Sequence, residues 1–403
     1  MNKDNLTYTP FSSALKAALP ELETPFYYYD LGLLNQTLNS AVREASVYNF
    51  HLHYALKANF NDRILQLVKE AGIGADCVAG NEVKKAVEIG FEPKNIVFAG
   101  VGKADKEIRY ALSQDIFAFN VESLQELEVI NELAGEVGKT ASVALRINPN
   151  VDAHTHHYIT TGLDENKFGI MQYDLPACLA ILEKCPNLKL IGVHFHVGSQ
   201  ITNLEVFRDL CVKANEINTW FLSQGHDLRV INVGGGLGVD YEQPDQNAIP
   251  DFQAYFSVFG QYLNVREGQE VHFELGRALT AQCGSLFSRV LYVKSGQKKN
   301  FLVLDAGMTE LMRPALYQAQ HKIEQVALLS PHPQNEDDTA FLDYDVVGPI
   351  CESSDSFGTQ IKLPLCRRGD FIAIRSAGAY GEVMSSRYNL REEIRFVYSD
   401  TIA

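Results

Sequence analysis

Short runs of β-forming residues alternate with amphipathic helical stretches over much of this chain, and this alternation constrains its fold more than any other feature. Stretches such as Gly80–Ile89 and Ser123–Val137 separate the runs and carry apolar residues at helical spacing. Eight βα units of this length predict a closed parallel (β/α)8 barrel of the TIM type, and their number favours it over a doubly wound open sheet. The eight runs are His51–Lys57, Gly74–Val78, Asn95–Ala99, Asp115–Asn120, Ser142–Asn148, Leu190–His196, Arg229–Val233 and Val271–Leu275.

The alternation stops after Ala281. Further β-rich runs follow without regular helices between them, and the segment Pro25–Asp30 is also strand-like. A stretch rich in Pro, Asn and Asp, Ser330–Thr339, is typical of a solvated loop. We therefore predict a barrel domain over residues 36–280 and a mostly antiparallel β domain built from residues 1–35 and 281–403. The later runs are Leu286–Val293, Asn300–Asp305, Tyr344–Gly348 and Asp370–Ser376.

Composition excludes several classes of protein. A formal net charge of −15 over 403 residues argues against nucleic acid as a partner. No run of 18 apolar residues occurs, so no membrane span is expected, and the first residues lack the apolar core of a secretory signal. Seven cysteines without a C-x-x-C pair indicate reduced thiols. These features predict a cytoplasmic protein without nucleic-acid or membrane partners.

Polar or glycine residues end all eight predicted barrel strands. The C-terminal ends of barrel strands form one rim, so residues far apart in sequence should meet there. Loops begin at strand ends, so two or three polar residues would be unremarkable, but eight complementary sets predict a functional site. They are Lys57, Asp76, Gly100, Asn120, Arg146 with Asn148, His196 with Ser199, Gly234–Gly236, and Glu274 with Arg277.

Lys57 ends the first barrel strand in His53-Tyr54-Ala55-Leu56-Lys57-Ala58-Asn59. Considered alone, it would be interpreted as a surface lysine that caps a strand. A lysine at a barrel rim is also the residue that forms a Schiff base with pyridoxal 5'-phosphate (PLP). The other rim residues favour this second interpretation.

Two further rim features fit the same cofactor. Gly234–Gly238 follows a strand and offers backbone N–H groups to an anion, although tight turns also use glycine. Ser199 and Arg277 flank this turn, which favours a phosphate site. Glu274 could face a pyridine nitrogen and keep it protonated, which favours decarboxylation over racemisation. The simpler alternative for Glu274 is a buried ion pair with an arginine.

Two histidine groups resemble metal ligands. His194 and His196 alternate on one strand and share a face, and His154, His156 and His157 cluster in a predicted loop. The strand pair has no third ligand at a recognisable spacing, and the loop cluster lacks helical i, i+4 geometry. We therefore predict no metal, with His196 against the cofactor ring and His194 packed below it.

Several motifs together resemble the fold type III PLP-dependent decarboxylases, and within them the diaminopimelate decarboxylase family. They occur in family order between residues 24 and 389, so the resemblance covers nearly the whole chain. The motifs are Tyr54-Ala55-Leu56-Lys57-Ala58-Asn59, His196-Val197-Gly198-Ser199-Gln200, Gly234-Gly235-Gly236, Glu274-Leu275-Gly276-Arg277, Cys351-Glu352-Ser353 and Gly378-Ala379-Tyr380-Gly381.

The resemblance implies an alanine-racemase-type barrel, PLP as cofactor, and a head-to-tail homodimer with shared active sites. Lys57 would form the Schiff base, His196 would stack on the ring and Glu274 would bind the pyridinium. Further residues implied around the cofactor are Asp76, Ser199, Gly235, Gly236, Gly276, Arg277 and Tyr380, of which Arg277 and Tyr380 also contact substrate.

The later domain supplies the remaining implied residues. Arg313 and Tyr317 match positions that hold the distal carboxylate of the substrate, although Arg313 could instead pair with Glu310 at the surface. Cys351 and Glu352 would come from the partner subunit, Cys351 as proton donor and Glu352 for the distal amine.

The activity that the resemblance implies is decarboxylation of meso-diaminopimelate to L-lysine and CO2, the last step of lysine biosynthesis. The alternatives are a decarboxylase of ornithine, lysine, arginine or carboxynorspermidine, and a non-catalytic PLP-binding homeostasis protein. Proteins of the last kind are usually a lone barrel, so the predicted β domain with Cys351 and Glu352 counts against it.

Overall fold

The computed structural model describes residues 8–151, 167–328 and 341–402. The histidine group His154, His156 and His157 and the predicted loop Ser330–Thr339 lie outside these residues. Among the described residues, the chain divides into two compact units. The first contains Thr37–Gly238 and Asp251–Leu279, and the second contains Met1–Gln36, Val239–Pro250 and Thr280–Ala403.

Strands and helices are numbered in chain order within the described residues. The strands are β1 Phe26–Tyr29, β2 His51–Ala55, β3 Gly74–Cys77, β4 Ile96–Phe98, β5 Ala118–Val121, β6 Ala141–Arg146, β7 Leu188–His194, β8 Val230–Asn232, β9 Glu270–Leu275, β10 Gly284–Ser295, β11 Asn300–Leu304, β12 Ile323–Ala327, β13 Phe341–Val347, β14 Ser356–Pro364, β15 Phe371–Ile374 and β16 Arg395–Tyr398. The α-helices are α1 Ser13–Ala18, α2 Leu31–Ser46, α3 Asp62–Glu70, α4 Gly80–Ile89, α5 Asp105–Ser113, α6 Leu124–Glu136, α7 Leu175–Leu182, α8 Glu205–Ser223, α9 Phe252–Tyr262, α10 Arg277–Thr280 and α11 Arg313–Tyr317. Single-turn 3-10 helices occupy Leu19–Glu21, Leu56–Ala58, Pro93–Asn95, Gln172–Asp174, Glu382–Met384 and Tyr388–Leu390.

The first unit is a closed barrel of eight parallel strands, β2 to β9 in sequence order. Strand β2 closes the barrel by pairing with β9, with His51 opposite His272 and Tyr54 opposite Leu275. This confirms the predicted (β/α)8 barrel, and each of the eight predicted runs overlaps one of its strands. The observed strand bounds differ from the predicted ones, because a strand ends where its backbone hydrogen bonds to the neighbouring strands end. Thus β2 ends at Ala55, and Lys57 lies in the one-turn helix that follows.

Several helices around the barrel combine a side-chain cap with an apolar face. Helix α6 shows this well, because the Ser123 side chain accepts a hydrogen bond from the Glu126 N–H at its start. Its residues Leu127, Ile130 and Leu133 are buried, at the three-residue spacing of one helix face. Among the described residues, no helix combines the length and apolar character needed to cross a membrane.

The second unit is built on a curled sheet. Strands β12, β15, β10, β11, β13 and β14 are hydrogen-bonded in that order, and β1 joins β10 and β16. Five of its seven strand pairs are antiparallel, which confirms the predicted mostly antiparallel β domain. The strand-like segment before residue 35 is β1, with Phe26 opposite Phe287.

Three strands of this unit and its short helices α1 and α11 were not predicted. Strands β12, β14 and β16 are mostly half-buried or exposed, so polar residues interrupt the apolar pattern that would have revealed them. Segment Val239–Pro250 lies between two barrel strands in sequence but belongs to this unit. Its Asp245 carboxylate is 3.0 Å from the Arg375 guanidinium, and its Asn247 carbonyl accepts a 2.8 Å hydrogen bond from Gln282.

Candidate active site

Glu274 lies at the C-terminal rim of the barrel and receives hydrogen bonds from three other strands. Its Oε1 accepts from the Asn120 Nδ2 at 2.9 Å and from the Asn232 Nδ2 at 2.7 Å. Its Oε2 is 2.9 Å from the His194 Nε2. All four side chains are buried. A buried carboxylate is tolerated when donors surround it in this way, so the arrangement favours the ionised form of Glu274.

Two buried acids of the rim, Glu274 and Asp76, have pKa values shifted in opposite directions. Burial acts to raise the pKa of Glu274, but the charge and hydrogen bond of His194 outweigh it, and the pKa is lowered. Burial and the charge of Glu274 raise the pKa of Asp76 well above its usual value. The Oδ1 of Asp76 is buried without a hydrogen-bond partner. The rim therefore holds one carboxylate as an anion while favouring the protonated form of the other.

Lys57 is exposed and lies within electrostatic reach of the rim acids. Its positive charge acts to lower the pKa values of Asp76 and Glu82. It also helps to lower the pKa of His196, although burial is the larger cause. Consequently His196 is a neutral imidazole at neutral pH, within electrostatic reach of an accessible primary amine.

The glycine turn after β8 packs directly against neighbouring backbone. Gly234 and Gly236 have φ angles of +71° and +109°, which favour glycine. A Cβ on Gly235 would lie 2.0 Å from the carbonyl oxygen of Glu274, and one on Gly236 would lie 2.9 Å from that of Gly198. No side chain therefore fits at either position, and the turn can present only its backbone to a ligand.

Ser199 and Arg277 meet at the same rim. The Arg277 Nη2 donates to the Ser199 Oγ at 3.0 Å, and the Nε donates to it at 3.3 Å. Gly198, which the glycine turn contacts, immediately precedes Ser199. Gly276, which is buried, immediately precedes Arg277. A guanidinium, a hydroxyl and a glycine turn thus form a cluster suited to a phosphate.

The rim residues fit the chemistry of PLP. An accessible amine, an ionised carboxylate, a neutral imidazole and an anion-binding cluster are the groups needed for its aldehyde, pyridine nitrogen, ring and phosphate. The buried Asp76 Oδ1 has no hydrogen-bond partner, so it offers a ligand one further hydrogen-bonding position. His194, which was predicted only to pack below His196, also bonds to Glu274.

The sequence analysis assigned no role to Asn232 and none to Asn120 beyond its place on the rim. Asn232 is the last residue of β8, and its Oδ1 also accepts a hydrogen bond from the Gly234 N–H at 2.9 Å. It therefore fixes both the carboxylate and the glycine turn. A buried amide that ends the apolar run Val230-Ile231 was the available signal.

In the second unit, Arg313 is buried at the start of α11. Its Nη1 is 2.8 Å from the His321 Nε2, and its guanidinium lies 4.8 Å from the centre of the Tyr241 ring. Glu310 is also buried and accepts from the Gly307 N–H at 2.7 Å. Because both residues are buried, the suggestion that Arg313 pairs with Glu310 at the surface is wrong. Tyr317, at the end of the same helix, is half-buried.

Cys351 and Glu352 lie in an exposed turn of the second unit. The buried Asp355 carboxylate holds this turn, because it accepts 2.6 Å hydrogen bonds from two backbone N–H groups. The Glu352 Oε1 accepts a 2.9 Å hydrogen bond from the Tyr388 hydroxyl. Tyr380 is half-buried and has a φ of +56°. The turn thus presents a thiol and a carboxylate to the surroundings of this unit.

Comparison with known proteins gives consistent matches. Residues 32–281 match the family described as pyridoxal-dependent decarboxylase, pyridoxal binding domain. The chain is 52% identical over 382 residues to diaminopimelate decarboxylase of Bacteroides thetaiotaomicron, covering 94% of this chain and 97% of that protein. It is 40% identical over 374 residues to the enzyme of that name from Helicobacter pylori strain J99, covering 92% of this chain and 89% of that protein.

A solved structure agrees with these relatives. The crystal structure of Helicobacter pylori diaminopimelate decarboxylase complexed with L-lysine matches with a TM-score of 0.87 at 38% identity, covering 95% of this chain and 93% of that one. The barrel, the polar rim and these matches together show that the chain belongs to the pyridoxal-dependent decarboxylases, and within them to the diaminopimelate decarboxylase family.

Proposed function

We propose that this chain decarboxylates meso-diaminopimelate to L-lysine and CO2 with PLP as its cofactor. The observation that carries the proposal is the buried Glu274 carboxylate, kept ionised at the rim by His194 and two amides. An ionised acid in this position supports an electron-accepting pyridinium, as a decarboxylase requires. The names of the relatives support diaminopimelate as the substrate.

The cofactor would be held by groups that the barrel already places together. Lys57 would hold it through its ε-amine, His196 would contact its ring and Glu274 would face its ring nitrogen. When bound, PLP supplies a ring that accepts the electron pair left behind as CO2 departs. The residues proposed around its phosphate and ring are Asp76, Ser199, Gly235, Gly236, Gly276, Arg277 and Tyr380.

Each reacting proton has a proposed residue. Glu274 would keep a proton on the ring nitrogen, because a carboxylate with a lowered pKa stays anionic and attracts that proton. His196 remains neutral and so adds no charge to the ring face. The Sγ of Cys351 of the partner subunit would return a proton to the Cα from which the carboxylate left.

The far end of the substrate carries both a carboxylate and an amine. Arg313 would grip this carboxylate bidentately, with Tyr317, Arg277 and Tyr380 completing the pocket. Glu352 of the partner subunit would bind the amine. Ornithine and lysine carry only an amine at this end, and an arginine facing it would repel them.

An amino-acid panel tests the substrate. The PLP-loaded protein should decarboxylate meso-diaminopimelate in strong preference to L-lysine, L-ornithine and L-arginine, measured as CO2 release. Arg313→Ala should lose roughly a hundredfold in kcat/KM for diaminopimelate, because a guanidinium that matches the carboxylate is removed. Arg109→Ala, on an exposed pair with Glu136, is the matched control. Comparable turnover of lysine or ornithine by the wild type would leave only the decarboxylase class.

We also propose a homodimer with shared sites. Lys57→Ala and Glu352→Ala proteins should each be nearly inactive, while a mixture should regain activity. After full subunit exchange at equal amounts, about a quarter of all sites would be intact, since both lesions fall in one site of each heterodimer. Absence of recovery after proven exchange would place Glu352 in its own subunit's site. A cytosolic location is proposed from the seven free cysteines.

A further inference from the structure

The N-terminal end of the barrel carries a cluster of ligand-type side chains that the reaction does not use. His51 begins β2, Glu270 begins β9, and His272 is two residues further along β9. One ligand atom from each lies within 4.8 Å of the others. His51 and His272 are register partners in the strand pair that closes the barrel. This cluster, His51, Glu270 and His272, is called the lower cluster below.

The lower cluster borders a cavity of about 530 Å³. The cavity is within the barrel unit and lies at the opposite end of the strands from Lys57 and Glu274. Flat rings line one side of it, with His272 stacked on Phe117 at 5.2 Å and on His51 at 4.8 Å between ring centres. A ligand bound to the lower cluster would therefore remain accessible from this cavity.

Hydrogen bonding fixes which nitrogen of His272 carries a lone pair. The His53 Nδ1 is 3.2 Å from the Asn95 carbonyl oxygen, which can only accept, so this nitrogen carries the proton. In its neutral form the His53 ring has its single proton on this Nδ1, so its Nε2 accepts. That Nε2 is 2.8 Å from the His272 Nδ1, which must donate. The His272 Nε2 of the neutral ring is then a bare lone pair.

This lone pair faces a carboxylate. The His272 Nε2 is 3.4 Å from the Glu270 Oε2, and two acceptors at this distance repel one another unless a cation or a proton lies between them. A metal-binding histidine usually donates its other N–H to a carbonyl or similar acceptor, and the chain from His272 through His53 to Asn95 supplies this support.

The charges around the lower cluster are arranged to orient the carboxylate. The Arg229 Nη2 is 2.9 Å from Glu270 Oε1 and 3.1 Å from Oε2, which fixes the plane of the carboxylate with Oε2 toward His272. Lys94 also lines the cavity, but its ammonium is 2.7 Å from the Glu92 carboxylate. Arg229 thus supports the carboxylate as a second layer of contacts, although its charge opposes a cation and should weaken binding.

We propose that His51, Glu270 and His272 bind a divalent transition-metal ion, with Zn²⁺ as the best match. Two imidazoles and one carboxylate are a donor set that zinc prefers, and the cavity leaves a fourth position for water. Tetrahedral coordination needs ligand atoms roughly 3.3 Å apart. The exposed His51 side chain can move by the remaining distance. The ion would join the first and last strands of the barrel and stabilise its closure.

Zinc binding to the PLP-loaded protein tests this proposal. After treatment with chelator and desalting, titration calorimetry with ZnCl2 should give a site with a Kd at or below about 10 µM. Thermal unfolding should shift upward by a few degrees at saturating Zn²⁺, since an ion that binds only the folded state stabilises it. His51→Ala should weaken binding by at least about tenfold and abolish this shift, because an exposed ligand is lost without disturbing the core.

His226→Ala, which removes a histidine outside the lower cluster, is the matched control and should bind as the wild type does. Glu270→Gln provides a second variant, and circular dichroism checks that each variant is folded. Cys351 is an exposed thiol that could also bind added metal, so a measurement that identifies the ligands is needed. Cu²⁺ electron paramagnetic resonance should show coupling to two imidazole nitrogens in the wild type and to fewer in His51→Ala. Equal zinc affinity in wild type and His51→Ala, or no binding by the wild type at 100 µM ZnCl2, would overturn the proposal.

Discussion

Strand β9 carries a glutamate paired with a histidine at each of its ends, and the two pairs differ in what surrounds them. Glu274, near the C-terminal end, is buried, 2.9 Å from the His194 Nε2, and receives two amide donors. Glu270, at the N-terminal end, is partly exposed, 3.4 Å from the His272 Nε2, and pairs with Arg229. The same two residue types therefore form a sealed anion at one end and an open cluster at the other.

The difference teaches that residue type alone does not assign a role in a barrel. At the C-terminal rim, His194 and two amides hold Glu274 ionised, so that its carboxylate would be available to a cationic ring. At the N-terminal end, a guanidinium already neutralises Glu270, so an added ion would stabilise the strand pair rather than perform the reaction. Catalytic groups in barrels lie at the C-terminal ends of the strands, whereas the opposite end contributes to stability.

The largest contrast between the two ends is expected for lysine substitutions. Lys57→Ala should lower kcat/KM for diaminopimelate by roughly a thousandfold or more, since the amine proposed to hold the cofactor is lost. Lys94→Ala, at the N-terminal end, should keep near wild-type activity. Borohydride reduction followed by peptide mapping checks the assignment directly. A cofactor label on any lysine other than Lys57 would contradict it.

Glutamate substitutions on and before β9 should give the next largest effect. Glu274→Gln should retain bound PLP, seen by its absorbance, while kcat falls roughly a hundredfold because the ring nitrogen would lose the anionic partner proposed for it. Because the pKa of Glu274 is lowered, the wild type should show no loss of activity from its protonation as pH falls toward 4.5. Glu267→Gln, at an exposed position just before β9, is the control. Turnover near that of the wild type in Glu274→Gln would contradict the proposal that Glu274 keeps the ring nitrogen protonated.

Glycine substitutions should give the smallest effect and separate cofactor binding from packing. A Cβ on Gly235 would lie 2.0 Å from backbone at the rim, and one on Gly74 would lie 2.4 Å from backbone at the other end. Both Gly235→Ala and Gly74→Ala should cost about 1–3 kcal/mol of folding free energy, seen as a lower Tm. Only Gly235→Ala should also weaken PLP binding. Gly102→Ala, with nothing within 4 Å of the new Cβ, should change neither Tm nor PLP affinity. Equal PLP affinity in all three variants would place the phosphate elsewhere.

The sequence by itself determined the barrel and the location of its rim. Alternating strand and helix periods specify which face of each element is buried, and eight such units can close only in a few ways. Because the C-terminal ends of parallel strands meet at one end of a barrel, Lys57, His196 and Glu274 could be placed together from sequence. Polar interruptions hid β12, β14 and β16, since half-buried strands lack a clear apolar period.

The partners of each rim residue were decided only by the tertiary structure. Glu274 is held by side chains from β5, β7 and β8, at sequence separations of 154, 80 and 42 residues. The lower cluster likewise exists only because barrel closure brings β2 against β9, which sets the ring of His53 2.8 Å from that of His272, 219 residues away. Periodicity records which way a side chain points, but hydrogen-bond partners, tautomers and pKa shifts depend on distances of a few tenths of an ångström between distant strands. Those distances are fixed by strand register and packing, which no local pattern in the sequence encodes.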